Sequence, residues 1–486
     1  MRLRLFLLFL AVVAVAPGAA AQGTDRFAPV RATIKRILDS TGTPSIAVAV
    51  SKDGKVIWEE GFGWANREKR IPATQHTMYS LASISKPITA TALMVLVDRG
   101  IVALDKPAND YLGVGKITSL AGDASGATVA RVLSHTAGLP LHYRFFYNNL
   151  PYGAPSMDEA IGRYGSTVFP PGQIYEYSNL GYGIIDHIVE RMGGQTYADF
   201  MRNEVFLPLG LTHTTIDIGP GLEEYAAERY DGRGRPVPFY AFDHAGASAV
   251  YSSAHDLVRF GMFHLKNKLP GQRQILKPET IDLMQRPIAP ANYGLGWNTS
   301  SDRGHRRFSH TGGMPGVSTV LHMYPDQNVT ITVLTNAGPS GLIAQEIAAV
   351  MLPGYADSLK AQRAQATQPP RRDFTPSSDL VGEWTGTLRT WQRTVPLRLL
   401  IKPDGDVHVW LASQPRAILN NVWFNNGRLS GRFAGTIPTD DAQLWRHDVL
   451  LGLLHGNGTL RGQASAMSTD ELNMGSIASY VDLRKN

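Results

Sequence analysis

The 486-residue sequence contains no cysteine. That excludes disulfide cross-links, a thiol nucleophile, thiolate metal sites and a lipid-modified cysteine after a processed leader. The fold therefore has to be held by its core alone. Other signatures are missing too. The net charge is +6, but basic residues gather only in short groups, such as Arg371-Arg372 and His305-Arg306-Arg307. Without a basic stripe or a binding motif, a nucleic-acid partner is not expected. No H-E-x-x-H or G-x-S-x-G occurs, which removes the usual zinc-peptidase and nucleophile-elbow readings. No internal repeat or low-complexity tract is visible.

What is present begins with the N-terminus. Arg2 and Arg4 precede the apolar run Leu5–Ala16, then Pro17-Gly18 and Ala19-Ala20-Ala21. A charged start, a short apolar stretch and an A-x-A site predict a signal peptide over 1–21, with cleavage after Ala21. The apolar run is too short to span a bilayer, which takes about 20 residues. The mature protein is expected in the periplasm or secreted, with no stable membrane anchor.

Length alone suggests two or three domains. Phe27–Asp39 has the pattern of an amphipathic helix. Ser45–Ser51 and Lys55–Gly61 read as a hairpin turning at Asp53-Gly54. From about Ser83 to Pro270 the pattern is mostly helical, broken by Gly and Pro. Strands return near Gly316, in "GVSTVLHMYP" and "NVTITVLTNAG", and Gly341–Leu352 predicts a closing helix. A first domain over 22–357 would thus begin and end in one sheet around a helical middle. Residues 358–378, polar and without periodicity, read as a linker. Beyond it, 379–486 carries short strands, with turns at Asp404-Gly405, Asn426-Gly427 and Asn457-Gly458 that suit a small antiparallel barrel.

Ser83-Ile84-Ser85-Lys86 is the one S-x-x-K of the chain. Alone it is weak, since about one match is expected by chance in a chain of this composition. Its context says more. Leu93, Met94, Leu96 and Val97 follow at helical spacing, Gly100 is a stop signal, and Pro87 suits only a first turn. Ser83 therefore sits near a helix N-terminus, three residues from Lys86 and on one face with it. A serine hydroxyl needs a base to become a nucleophile, and a lysine serves only if burial or a neighbour makes it neutral. Tyr177-Ser178-Asn179, in a turn-rich stretch before a helical pattern, offers a phenol as a second proton path; Tyr175 and Tyr182 are nearby decoys. His310-Thr311-Gly312-Gly313 lies just ahead of a strand-like run, where glycines let a backbone approach a ligand closely.

S-x-x-K, Y-x-N and H-T-G-G in that order resemble the serine β-lactamase and penicillin-binding protein family. "LASISKPITA", "RVLSHTAGLP", "PGQIYEYSNLGYGIID", "VFLPLGLTHT", "YSSAHDLVRF" and "YGLGW" carry the likeness over Arg26–Leu352. It is strongest to the class C β-lactamase-like branch of D-amino-acid peptidases, DD-carboxypeptidases and esterases, some of which carry a lipocalin-like C-terminal barrel. The resemblance implies an α+β fold: a β-lactamase/transpeptidase-like antiparallel sheet flanked by helices, with a helical subdomain, then the barrel. It implies Ser83 as the acylated nucleophile and Lys86 and Tyr177 as general acid/base, in an order the sequence leaves open. Asn179, His310, Thr311, Gly312 and Gly313 would bind substrate, with the Ser83 and Gly313 amides forming an oxyanion hole. No metal or organic cofactor is called for. One residue departs from the β-lactamase pattern: His310 stands where lysine is usual, which favours peptidase or esterase relatives. The expected activity is hydrolysis of peptides or amides, of D-amino-acid or cell-wall type. Carboxylesterase, β-lactamase and a non-catalytic penicillin-binding sensor are the alternatives. His135 and His255-Asp256 read as structural residues, with Ser253 capping a helix. Trp297 reads as packing or pocket lining, and oligomeric state is unreadable.

Overall fold

A computed structural model describes residues 25–219, 221–365, 374–470 and 475–486. The expected signal peptide lies outside these residues. A seven-stranded antiparallel sheet organises the first part, in the order Asn298–Asp302, His305–Met314, Val317–Tyr324, Val329–Thr335, Ser45–Lys52, Lys55–Asn66, Ile71–Pro72. Val48 pairs with Val333, so the two ends of the domain meet in mid-sheet, as the sequence predicts.

The central strand is buried on both faces, and its residues alternate in size. Ile46, Val48 and Val50 point into a layer formed by helices Ala28–Thr41 and Ser340–Met351. Ala47 and Ala49 face the other way, towards helix Ala254–His264, whose bulk the small side chains admit. Helix Ser85–Asp98 is buried along nearly its whole length, from Ser85 to Leu96, with its few polar side chains buried too. Ser253 caps helix Ala254–His264, accepting from the Asp256 amide at 3.1 Å.

The second part is a nine-strand antiparallel run from Ala417–Ile418 round to Asn420–Asn425, closed into a nearly complete barrel around Trp384, Leu399, Val409, Leu429, Leu451 and Val481. Asn426-Gly427 and Asn457-Gly458 both turn with positive φ, the backbone their hairpins require. Among the described residues, no helix is long and apolar enough to cross a membrane.

Three features differ from expectation. His310–Gly313 lies ahead of strand Val317–Tyr324, as expected, but is itself inside strand His305–Met314, which its two glycines hide by erasing the period-2 pattern that marks a strand. Strand Gly475–Lys485 had no counterpart in the sequence reading, yet it joins the two halves of the barrel and pairs Gly475 with Arg144 and Ser476 with Tyr143 of the first part. The segment read as a linker begins within helix Tyr355–Gln365. Tyr355 and Leu359, one turn apart, bury against the apolar layer under helix Ser340–Met351, and two such residues are too few to show as periodicity.

Candidate active site

Ser83 sits in a 3₁₀ turn, Ala82–Ile84, immediately before helix Ser85–Asp98. Ala82 has φ 50°, a left-handed conformation that an L-residue holds only under tertiary constraint. The constraint comes from the H-T-G-G strand. Thr319 Oγ1 donates to Leu81 O at 2.9 Å, and Gly312, paired with Thr319, lies against the same carbonyl. A Cβ on Gly312 would fall 2.0 Å from Leu81 O and 2.3 Å from Thr319 Oγ1, so only glycine fits. Gly312→Ala is accordingly expected to cost about 1–3 kcal/mol through overpacking. Gly313→Ala, where a Cβ meets nothing within 4 Å, should be nearly neutral. Thermal melting of the two variants checks this; equal midpoints would contradict it.

Lys86 is fully buried. Its Nζ lies 3.1 Å from Ser83 Oγ, 2.7 Å from Asn179 Oδ1 and 3.2 Å from Ala247 O. Burial holds its pKa well below that of an ordinary lysine. Three oxygens surround the amine nitrogen. Asn179 Oδ1 and Ala247 O can only accept, so a neutral amine would give them its two N–H bonds and keep its lone pair for the Ser83 hydroxyl.

Tyr177 flanks the pair, its ring centroid 4.7 Å from Lys86 Nζ and its phenol within hydrogen-bonding reach of Ser83. Burial raises its pKa above the ordinary phenol value, so it stays protonated at neutral pH. Asn179 opens helix Asn179–Gly193, which Ser178 caps by accepting from Gly181 N at 3.0 Å. The cap fixes the turn that presents Tyr177 and Asn179 on either side of Ser178.

His310 is buried, while Thr311 and Gly313 are exposed on the same strand. His310 Nδ1 donates to Thr311 O at 2.8 Å, which leaves Nε2 as an acceptor 3.0 Å from the Tyr293 hydroxyl. Burial pushes its pKa down to about 3. It therefore brings no positive charge at neutral pH.

The sequence reading missed two contributors. Ala247 acts through a backbone carbonyl, which no side-chain motif can announce. Tyr293 lies in the quoted "YGLGW" stretch, but its meaning depends on the His310 contact. His135, with φ 59°, accepts from Ser178 N at 3.0 Å and packs its ring 4.3 Å from that of Tyr177. It is thus a turn residue that also props the tyrosine. Trp297 is fully buried against Phe260 and His264, hence packing and not pocket lining. Tyr182 is buried with its hydroxyl donating to Leu133 O, and Tyr175 is exposed.

A family model described as β-lactamase matches residues 30–353. Penicillin-binding protein 4* of Bacillus subtilis (strain 168) is 27% identical over 317 residues, covering 60% of this chain and 67% of its own. A crystal structure of SurE superposes with a TM-score of 0.63 at 20% identity, covering 95% of this chain and 99% of that one. A class C β-lactamase from Rhodobacter sphaeroides superposes with a TM-score of 0.55 at 21% identity, over 69% of this chain and 99% of its own. At those identities the two structural likenesses speak for the fold alone.

Proposed function

The chain belongs to the β-lactamase family, and from that premise we propose that it is an exported serine hydrolase working through an acyl-enzyme on Ser83. The observation that carries the reading is the fully buried Lys86 amine, held by Asn179 Oδ1 and Ala247 O with Ser83 Oγ 3.1 Å away.

In the proposed reaction Lys86 Nζ takes the Ser83 proton as Oγ bonds to the substrate carbonyl carbon. The Ser83 and Gly313 amides receive the oxyanion; such a donor is worth about 3 kcal/mol of barrier. Tyr177, protonated because it is buried, gives its proton to the leaving nitrogen as the C–N bond breaks, and is reprotonated from Lys86. Water then attacks the Ser83 ester and passes its proton to the same pair. The acid leaves, and Ser83 regains its hydrogen. This division makes Lys86 the base for acylation and Tyr177 the acid. Asn179 orients Lys86 and meets the substrate amide, and His310, Thr311 and Gly312 line the opposite wall. Export rests on the N-terminal pattern Arg2 to Ala21.

Uncharged His310 speaks against a dedicated β-lactamase, whose substrate carboxylate would meet no fixed cation at this position. Peptides and amides, including D-residue and cell-wall-type peptides, are the proposed substrates. Esters are the second reading, favoured by the same neutral imidazole. D-alanyl-p-nitroanilide and benzylpenicillin, offered separately to the mature protein, test this. Turnover of the anilide exceeding that of the penicillin is the expected result. Faster penicillin hydrolysis would overturn the substrate assignment.

A further inference from the structure

We propose that the C-terminal barrel is part of the scaffold of the reaction centre, with Arg428 and Gln463 acting as positioning residues that fix Tyr177 by gripping Glu176. The inference rests on the reading of Ser83 and Tyr177 given above.

Glu176 immediately precedes Tyr177 and is 7% exposed. Both of its carboxylate oxygens are taken by the barrel. Arg428 Nη1, from strand Arg428–Ala434, donates to Oε2 at 2.5 Å; Gln463 Nε2, from strand Thr459–Ser468, donates to Oε1. Gln463 also reaches the far side of Tyr177. Its Oε1 accepts from Leu141 N at 3.1 Å, and the neighbouring Pro140 O accepts from Ser178 Oγ at 2.8 Å. Ser476 Oγ adds a bond to Leu141 O at 3.0 Å. The residues before and after Tyr177 are therefore both tied to the barrel, one directly and one through the 140–141 turn. From the hydrolase side, His135 holds the same two residues: its carbonyl accepts from Glu176 N at 2.8 Å and its Nδ1 from Ser178 N.

The grip has a built seat. The Arg428 guanidinium lies over the Phe169 ring at 5.4 Å, and a Cβ on Gly452 in the adjoining strand would fall 2.4 Å from Nη2, so glycine keeps the space open. Mere adhesion between the two parts does not need this. Strand pairing at Arg144–Gly475 already joins them, and a surface ion pair would avoid desolvating a carboxylate. A buried glutamate placed one residue from Tyr177 and bonded at both oxygens fits control of a backbone position. An error of about 1 Å at a reacting group can cost roughly 100-fold in rate.

The test uses full-length Arg428→Met, Arg428→Lys and Gln463→Met proteins, with p-nitrophenyl acetate as substrate and Ser83→Ala as control. Arg428→Met is expected to lower kcat by about 10- to 100-fold, with KM within about twofold, because the phenol moves while the binding strand does not. Arg428→Lys should recover most of the loss by restoring a charge on Oε2. A folded Arg428→Met protein whose melting temperature falls but whose kcat stays within about twofold of wild type would overturn the proposal and leave the barrel as an adhesive. Where Arg428→Met does not fold, Gln463→Met, which keeps the charge pair, decides by the same criterion. Wild-type turnover that persists in Ser83→Ala would instead sink the Ser83 reading, a separate failure.

Discussion

Ser83→Ala is expected to reduce turnover of activated esters and anilides by about 10,000-fold or more while leaving the fold intact. Removing a nucleophile from a group of residues that act as a unit costs a factor of this order or larger, because the remaining members have nothing to activate. The side chain is small and half-buried in its turn, and its amine partner keeps Asn179 and Ala247. Alanine is also what already stands at the strained position beside it, Ala82. The melting temperature should stay close to that of the wild type and substrate binding should survive, so the loss falls on kcat. Steady-state kinetics on p-nitrophenyl acetate read this directly. Retention of more than about a tenth of the rate would remove Ser83 from the reaction, since no residual route through this site supplies so much.

Lys86→Met comes second in size. General-base removal costs about 100- to 10,000-fold, and the double variant with Ser83→Ala should be no slower than Ser83→Ala alone, because both act in one step. The wild-type rate should fall on acidification, as Lys86 takes up the proton it must lack. The same burial that serves activity works against stability. Below the ordinary lysine pKa of 10.5 the unfolded chain carries a proton at this position that the folded chain has released. Lys86 thus opposes folding below that pH, and more strongly as pH falls towards its depressed native value. Methionine has no proton to lose. The stability of Lys86→Met relative to wild type should therefore rise as pH is lowered from 9 to 6, whatever its offset from the two orphaned acceptors. Chemical denaturation at several pH values measures it; a difference independent of pH would mean that Lys86 is charged in the folded protein.

Legibility in the sequence followed the range of the interaction responsible. Strand Ser45–Lys52 and its hairpin were visible because period and turn residues are local. So were the cap at Ser253 and the placing of Ser83 ahead of helix Ser85–Asp98, which Pro87 and Gly100 bracket. The order of S-x-x-K, Y-x-N and H-T-G-G named the side chains that the fold gathers round Lys86. What remained hidden was non-local. His310–Gly313 escaped as a strand because Gly312 answers to the Leu81 carbonyl, 231 residues earlier in the chain. Ala247 contributes only a carbonyl. Tyr293 acquires a role only through His310, and Glu176 only through Arg428 and Gln463, partners from a domain whose bearing on the site no motif records. Strand Gly475–Lys485 was missed although it is almost wholly buried, since burial on both faces removes the alternation that marks a strand.

The central claim is a covalent bond between substrate acyl group and Ser83. Rapid acid quench of the wild-type protein with p-nitrophenyl acetate, followed by intact-mass spectrometry and peptide mapping, tests it most directly. A single acetyl adduct on the peptide bearing Ser83, absent from Ser83→Ala and slow to form in Lys86→Met, is the expected result. An adduct on another residue, or one formed equally fast by Ser83→Ala, would contradict the account.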